Sequence, residues 1–207
     1  MAEVGLSPQR SSIAHTATGI GIVVLAAGKG RRFLAAGGCG NKLLAPYPDG
    51  AGQLQPLLAL TLTQAAASGL PLHLVTRPGS SGIIALAQQF SASVTLLSSG
   101  GSGDSIAAGV RDCAHWRGWL VVPGDMAWVT AGDYRQVAAA LQDDWAQARP
   151  VWQGQPGHPV GFGRDYFASL SALRGDLGAR RLLSAAHLHL LPGHAGVIRD
   201  ADLPRPE

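Results

Sequence analysis

Short apolar runs alternate with longer amphipathic segments along most of the chain. Runs of mainly apolar residues predict strands at residues 20–26, 72–76, 94–97, 119–122, 151–152, 160–162 and 188–191. Helical spacing of apolar residues predicts helices at residues 57–68, 81–90, 104–115, 130–141, 164–172 and 178–186. Because parallel strands that alternate with helices are joined by right-handed crossovers, this order predicts a three-layer, Rossmann-like α/β fold with a mostly parallel sheet.

The two ends of the chain depart from this alternation. Residues 1–19 are rich in Ser and Thr, contain no apolar run of signal-peptide length, and are predicted to form a flexible leader. Beyond residue 148 the alternation loosens, and the short strands there favour an elaboration of the same sheet over a second core. We therefore predict one domain over residues 20–207, which fits the roughly 100–250 residues of a single domain.

The composition argues against several classes of protein. Apolar residues make up 46% of the 207 residues, so the chain is not expected to be disordered. The longest apolar run, 22–27, is far shorter than the ~20 residues that cross a membrane, and no membrane partner is expected. The net charge of +3 comes without a basic cluster, which favours a phosphorylated small molecule over nucleic acid. Cys39 and Cys113 lack metal-binding spacing and, without a signal peptide, favour a cytoplasmic protein.

A glycine-containing loop follows the first predicted strand. It reads Leu-Ala-Ala-Gly-Lys-Gly-Arg-Arg-Phe over residues 25–33 and is followed by Asn41 and Lys42. Backbone amides of such a loop, together with Arg and Lys side chains, can bind an anion such as phosphate. The loop lacks the third glycine of a dinucleotide-binding fingerprint and the Gly-Lys-Ser/Thr of a P-loop. The residues alone leave a phosphate site and a tight strand–loop turn equally open.

Asp125 follows another predicted strand, in the segment Val-Val-Pro-Gly-Asp-Met over residues 121–126. Parallel α/β sheets bind ligands at the carboxyl ends of their strands, and a carboxylate there can hold Mg²⁺. Asp125 could equally cap the next turn. Near the C-terminus, Asp200 and Asp202 offer two more carboxylates, unless that end is a frayed tail.

Three further segments contain residues that could serve either a ligand-binding role or a purely structural one. Gly103 and Ser105 lie at the start of a predicted helix, where capping by Asp104 or Ser105 is the simpler interpretation. His158, between Gly and Pro, suits a proton donor or a phosphate ligand as well as a turn residue. Asp176 and Arg180 could be a helix cap and a solvated residue.

In their order along the chain, these segments resemble the motifs of the MobA-like NTP transferase family, most closely its molybdenum-cofactor cytidylyltransferases. The resemblance covers about residues 20–204 and implies a nucleotide-diphospho-sugar transferase-like fold. It implies that Arg32 and Lys42 are catalytic and neutralise a triphosphate. The implied nucleotide-binding residues are Leu25, Ala26, Ala27, Gly28, Gly30, Gly103 and Ser105. The implied Mg²⁺ ligands are Asp125, Asp200 and Asp202, and the implied acceptor-binding residues are His158, Asp176 and Arg180.

The reaction implied by the resemblance is the Mg²⁺-dependent transfer of CMP from CTP to a phosphorylated acceptor, such as the molybdopterin cofactor, with release of pyrophosphate. In this family Ala-Ala-Gly, here residues 26–28, accompanies CTP, whereas Ala-Gly-Gly accompanies GTP. A molybdoenzyme is the implied protein partner. Two alternatives stay open. One is a sugar- or polyol-phosphate nucleotidyltransferase, although Asn41 stands where those enzymes usually have Pro; the other is a non-catalytic nucleotide-binding partner in molybdoenzyme maturation.

Overall fold

The computed structural model describes residues 18–98 and 100–201. Its strands are Thr18–Leu25 (β1), Pro46–Pro48 (β2), Leu54–Pro56 (β3), Leu72–Thr76 (β4), Ser93–Leu96 (β5), Trp116–Pro123 (β6), Gln147–Trp152 (β7), Gln155–Pro156 (β8), Val160–Gly163 (β9) and Leu188–Pro192 (β10). Its α-helices are Arg31–Ala35 (α1), Leu57–Ala67 (α2), Ser81–Gln89 (α3), Ser102–Asp112 (α4), Ala131–Ala140 (α5) and Phe167–Ser171 (α6). Short 3₁₀ helices lie at Lys42–Leu44, Arg164–Tyr166, Ala179–Leu182 and Ala195–Ile198.

The main sheet has the strand order β10-β7-β9-β6-β1-β4-β5, with β8 paired to β7. β1 lies in the middle and is parallel to both β6 and β4, so that Leu25 stands opposite Pro123 on one side and Val75 on the other. β9 runs antiparallel between β6 and β7, and β10 is parallel to β7. This arrangement confirms the predicted α/β fold with a mostly parallel sheet.

Two apolar cores cover the two faces of the sheet, which gives the three layers. Alternate residues of β1 point to opposite faces, because the side-chain period of a strand is two. Ile22 and Val24 belong to the core packed by α2, α3 and α5, whereas Val23 belongs to the core packed by α4 and α6. β1 is buried on both faces, which explains its uninterrupted apolar sequence.

The helix predicted over residues 178–186 is wrong: this segment forms only the 3₁₀ helix Ala179–Leu182. The buried side chain of Gln147 provides the reason. Its Nε2 donates to the carbonyl oxygen of Leu182 at 2.7 Å, and its Oε1 accepts from the amide of Ser184 at 2.9 Å. These bonds take backbone groups that a longer helix would use internally.

The antiparallel hairpin of β2 and β3 and the short helix α1 were not among the predicted elements. Both lie in the Gly- and Pro-rich stretch that follows β1, where apolar periodicity is weak. Within the hairpin turn, Oδ1 of Asp49 accepts from the amides of Ala51 and Gln53, each at 2.9 Å. Such local side-chain bonds form a turn without any apolar signal.

Both ends of the chain extend beyond the described residues. The predicted leader, apart from residues 18–19, lies outside the described residues, as does Asp202.

The strands of the C-terminal part belong to the main sheet. β7, β9 and β10 join the same sheet as β1, so these strands form no separate sheet. Within the described ranges, no helix combines the length and the apolar character that crossing a membrane requires.

Candidate functional site

A cavity of about 570 Å³ opens where β1 and β6 end side by side. The amide of Gly124 donates to the carbonyl oxygen of Leu25 at 2.9 Å, which joins the loops that follow the two strands. Carboxyl ends of parallel strands are where α/β sheets bind ligands. The cavity brings together eight of the predicted site residues: Leu25, Ala27, Gly28, Gly30, Lys42, Ser105, Asp125 and Asp176.

The loop after β1 exposes its backbone to this cavity. A Cβ atom built on Gly28 would meet no heavy atom within 4 Å, so packing against the protein does not require glycine there. Its absence of a side chain instead leaves room for a ligand to approach the backbone. Gly30 adopts a left-handed conformation (φ 57°, ψ 30°) immediately before α1, which glycine accepts without strain.

Lys42 and Asp125 form an ion pair on the wall of the cavity. Nζ of Lys42 lies 2.6 Å from Oδ2 of Asp125, and the two side chains are only 10% and 18% exposed. The residues are 83 positions apart in the sequence, so the fold alone brings them together. The pair presents an ammonium group that can meet phosphate beside a carboxylate that can meet a cation.

Buried elements hold the backbone on both sides of this pair. Asn41 precedes the 3₁₀ helix that begins at Lys42, and its side chain accepts from the amide of Leu43 at 3.0 Å. On the other side, the hydroxyl of the buried Thr61 donates to the carbonyl oxygen of Gly124 at 2.9 Å. Lys42 and Asp125 therefore extend from fixed positions.

The charges around the cavity favour a polyanion. Its charged side chains are Lys29, Arg31, Lys42 and Arg77 against Asp125 and Asp176. Arg31 and Arg77 were not predicted as site residues. Arg77 follows the carboxyl end of β4, as Asp125 follows that of β6. Its position directly after a predicted parallel strand could therefore have indicated from the sequence that it lies at the site.

Asp125 suits a cation that arrives with its phosphate ligands. Residues 18–98 and 100–201 contain no cluster of three or more His, Cys, Asp or Glu side chains that could enclose a metal. Mg²⁺ commonly takes one or two protein carboxylates and fills its remaining positions with phosphate oxygens and water. Asp125, in a cavity whose charged side chains are mostly cationic, fits that kind of site.

Asp200 lies in the C-terminal segment that packs beside the Asp125 loop. Its neighbour Arg199 stacks on the ring of Trp128 at 3.8 Å, and Trp128 lies three residues after Asp125. The segment also reaches the loop before β9, because the amide of His158 donates to the carbonyl oxygen of Val197 at 2.8 Å. The predicted role of Asp200 as a metal ligand stays a prediction, and Asp202 lies outside the described residues.

The two segments predicted to contact the nucleotide base and the acceptor pack directly on each other. The amide of Gly103 donates to the carbonyl oxygen of Gly175 at 2.8 Å. A Cβ on Gly101 would lie 2.3 Å from the backbone of Gly175, and one on Gly103 would lie 2.5 Å from the carbonyl oxygen of Leu177. Glycine is required at both positions by this close approach. Gly103 lies under the wall of the cavity, while Asp176 lines it.

The other predicted residues lie at different distances from the cavity. Ser105 is buried at its edge, and Ala26 is buried beneath the loop. Arg32 is exposed on α1 and Arg180 is exposed on a 3₁₀ helix, and neither lines the cavity. Their predicted roles stay predictions.

His158 lies beside the cavity as an uncharged imidazole. Burial and the positive charge of Arg149 lower its pKa to about 4, although a backbone hydrogen bond to Val121 and the charge of Asp125 oppose that shift. Its Nδ1 is buried and has no hydrogen-bond partner among the described residues. At neutral pH His158 therefore offers an acceptor nitrogen rather than a cationic proton donor.

The shifted pKa of His158 makes stability depend on pH. An unfolded chain binds the proton near pH 6.5, whereas the folded chain does so only near pH 4. Between these values the unfolded state binds more protons, so stability falls as the pH is lowered. We expect melting temperatures measured from pH 7 to pH 4 to fall less steeply for His158→Gln than for the wild type. Equal slopes would show that His158 titrates normally in the folded protein.

Comparisons with known proteins identify the family and the fold of the chain. The sequence model of the MobA-like NTP transferase domain matches residues 22–190. No curated protein sequence matches the chain significantly. The crystal structure of Rv0371c from Mycobacterium tuberculosis H37Rv is similar, with 26% identity, a TM-score of 0.71, and coverage of 91% of this chain and 95% of that chain.

Two other solved structures share the fold. A complex of Rv0371c with manganese has 24% identity and a TM-score of 0.64, and the match covers 89% of this chain and 96% of that one. A nucleotidyl transferase from Methanothermobacter has 20% identity and a TM-score of 0.63, over 77% of this chain and 78% of that one. The fold is therefore that of the nucleotide-diphospho-sugar transferases. With the family match extending over most of the chain, the protein belongs to the MobA-like NTP transferase family of nucleotidyltransferases.

Proposed function

We propose that the protein is a Mg²⁺-dependent cytidylyltransferase that transfers CMP from CTP to a phosphorylated acceptor such as the molybdopterin cofactor. The observation that carries this proposal is the ion pair of Lys42 and Asp125, 2.6 Å apart on the wall of the cavity at the ends of β1 and β6. It offers charges of both signs where a triphosphate and its cation would bind together. Membership of the family supports a nucleoside triphosphate and an acceptor as the two substrates.

The proposed reaction makes modest demands on the side chains. An oxygen of the acceptor phosphate attacks the α-phosphorus of CTP and forms a new P–O bond. The bond from the α-phosphorus to the oxygen that bridges it to the β-phosphorus breaks, and pyrophosphate leaves with that electron pair. Catalysis then consists of aligning the two substrates and neutralising charge, and Lys42 with the two cavity arginines, Arg31 and Arg77, would supply the positive charge. No side chain has to act as a nucleophile.

Asp125 would hold the divalent ion, together with Asp200 or Asp202. When bound, such an ion neutralises charge on the phosphates and orients them. The complex of Rv0371c with manganese supports a divalent ion in this fold. Asp125 would hold the ion at the end of β6, and the ammonium group of Lys42, which lies 2.6 Å from the carboxylate, would be close enough to meet a phosphate oxygen.

The preference for CTP is proposed from the Ala26-Ala27-Gly28 sequence, of which Ala27 lines the cavity. The methyl group of Ala27 keeps the base farther from the backbone than a glycine would. We expect calorimetry to show tighter binding of CTP than of GTP, and Ala27→Gly to reduce the difference. GTP binding to the wild type at least as tightly as CTP would contradict this prediction.

A screen of four nucleoside triphosphates against several acceptors tests the proposal as a whole. Pyrophosphate release with CTP and a molybdopterin-type acceptor supports it. Release with a sugar phosphate or polyol phosphate would favour that class of nucleotidyltransferase instead. Nucleotide binding without release with any acceptor would favour a non-catalytic partner in molybdoenzyme maturation.

A further inference from the structure

Arg149 of β7 is a buried cation with no carboxylate partner among the described residues. The residue is 8% exposed, and its Nε and Nη2 both donate to the carbonyl oxygen of Gly157, at 3.2 and 2.8 Å. Its Nη1 has no hydrogen-bond partner within residues 18–98 and 100–201, and it is not one of the fully buried unpartnered atoms. One edge of the guanidinium is thus fixed by the backbone, while Nη1 keeps some exposed surface and no hydrogen-bond partner among the described residues.

The register of the sheet places Arg149 near the strand end that carries Asp125. Ala148 pairs with a residue of β9 and packs into the core formed by α2, α3 and α5. Because side chains alternate along a strand, Arg149 points to the other face, together with Val160 of β9 and Val121 of β6, which are paired. Asp125 follows β6 four residues after Val121.

The neighbours of Arg149 leave its charge uncompensated. Burial and the positive charge of Arg180 lower the pKa of Arg149. Arg180 is exposed, and its side chain forms no ion pair or hydrogen bond in the described part of the chain. His158, which also faces Arg149, is neutral at pH 7. Two adjacent cations without a carboxylate are costly in partly buried surroundings, and a bound anion removes that cost.

We propose that Arg149, assisted by Arg180, binds the phosphate group of the acceptor substrate. The planar fork of an arginine suits the oxygens of a phosphate, and the Gly157 carbonyl holds the fork in one orientation. Arg149 does not line the cavity of Lys42, which has its own cationic side chains for the triphosphate. The proposed anion site is therefore separate from the triphosphate cavity. The identity of the anion as the acceptor rests on the proposed function; the existence of the anion site does not.

Binding of inorganic phosphate, measured by calorimetry, tests the site without any turnover. We expect Arg149→Met to weaken phosphate binding by about tenfold or more, and Arg149→Lys to weaken it less because the charge remains. Lys42→Ala should keep this binding, since it alters only the triphosphate cavity. Arg117→Met is the matched control, because Arg117 also extends from a strand and donates to a carbonyl oxygen, that of Leu141 at 3.0 Å, but lies at the amino end of β6.

Several results would overturn the proposal. One is the finding that Lys42→Ala abolishes all of the phosphate binding that the wild-type protein shows, because this would leave no binding to assign to Arg149. Another is a folded Arg149→Met variant with wild-type phosphate affinity. This result would mean that Arg149 only stabilises the loop that contains Gly157. If Arg149→Met does not fold, the phosphate affinity of Arg180→Met tests the site instead. Arg180 is exposed, so its substitution should leave the hydrophobic core intact. Unchanged phosphate affinity in Arg180→Met would then reject the site.

The KM values for the two substrates distinguish acceptor binding by Arg149 from a purely structural role of this residue. In pyrophosphate-release assays, Arg149→Lys should raise the KM for the acceptor and leave the KM for CTP unchanged. Equal increases in both would contradict acceptor binding. If no acceptor supports turnover in the wild type, the proposed function fails, and phosphate binding still decides whether the anion site exists.

Discussion

Asp125→Asn is expected to leave a folded protein whose turnover is lower by about two to four powers of ten, equivalent to about 3–5 kcal/mol of transition-state stabilisation. Asparagine keeps the shape of the side chain and can still accept a hydrogen bond from Lys42, but it loses the charge that holds a cation. The substitution removes a countercharge of the largely buried Lys42, so it should also lower the melting temperature measurably. Pyrophosphate release across a Mg²⁺ titration, with thermal melting alongside, measures both effects.

Asp143→Asn provides the control for Asp125→Asn, because Asp143 is exposed and does not line the cavity. Its turnover and its dependence on Mg²⁺ should match those of the wild type. Near-normal turnover of a folded Asp125→Asn variant at ordinary Mg²⁺ would remove Asp125 from the metal site. The proposed mechanism would then lose its principal support.

Lys42→Ala is expected to lower kcat by about a hundredfold and to weaken CTP binding much less. The ammonium group matters most when negative charge builds up on the departing pyrophosphate, so its effect falls on the transition state. Lys29→Ala is the matched control: Lys29 lines the same cavity but is exposed, whereas Lys42 is buried against Asp125. Its kcat should change only a few-fold.

Single-turnover kinetics, combined with calorimetry for CTP, separate the two effects of each lysine substitution. Equal losses of kcat in the two variants would show that Lys42 has no special catalytic role. A Lys42→Ala variant that loses CTP binding as strongly as it loses kcat would assign the lysine to ground-state binding instead.

Seven strands of the main sheet and most of the longer helices could be predicted, because their apolar residues form short runs or recur with a regular period. The carboxyl end of each parallel strand was likewise predictable, and it led to Gly28 and Asp125, which do line one cavity. The segment at 178–186 could not be predicted, because the side chain of Gln147, more than thirty positions away, decides its conformation. Local sequence contains no trace of such a contact.

Two features of the site depend on tertiary packing and could not be predicted from the pattern of residues along the chain. The neutral state of His158 follows from its burial and from the nearby charge of Arg149, neither of which a Gly-His-Pro sequence reveals. Arg149 itself lies in β7, whose sequence Gln-Ala-Arg-Pro-Val-Trp mixes polar and apolar residues, and the hydrogen bonds that fix its guanidinium become evident only in three dimensions.

The fate of the α-phosphate tests the central claim most directly. The wild-type protein is incubated with CTP labelled at the α-phosphate, Mg²⁺ and a phosphorylated acceptor, and labelled products and pyrophosphate are counted together. The account predicts that the label appears on the acceptor, with one pyrophosphate released for each CMP transferred. Label that remains in CTP with every acceptor, or that appears only as free CMP, would contradict it.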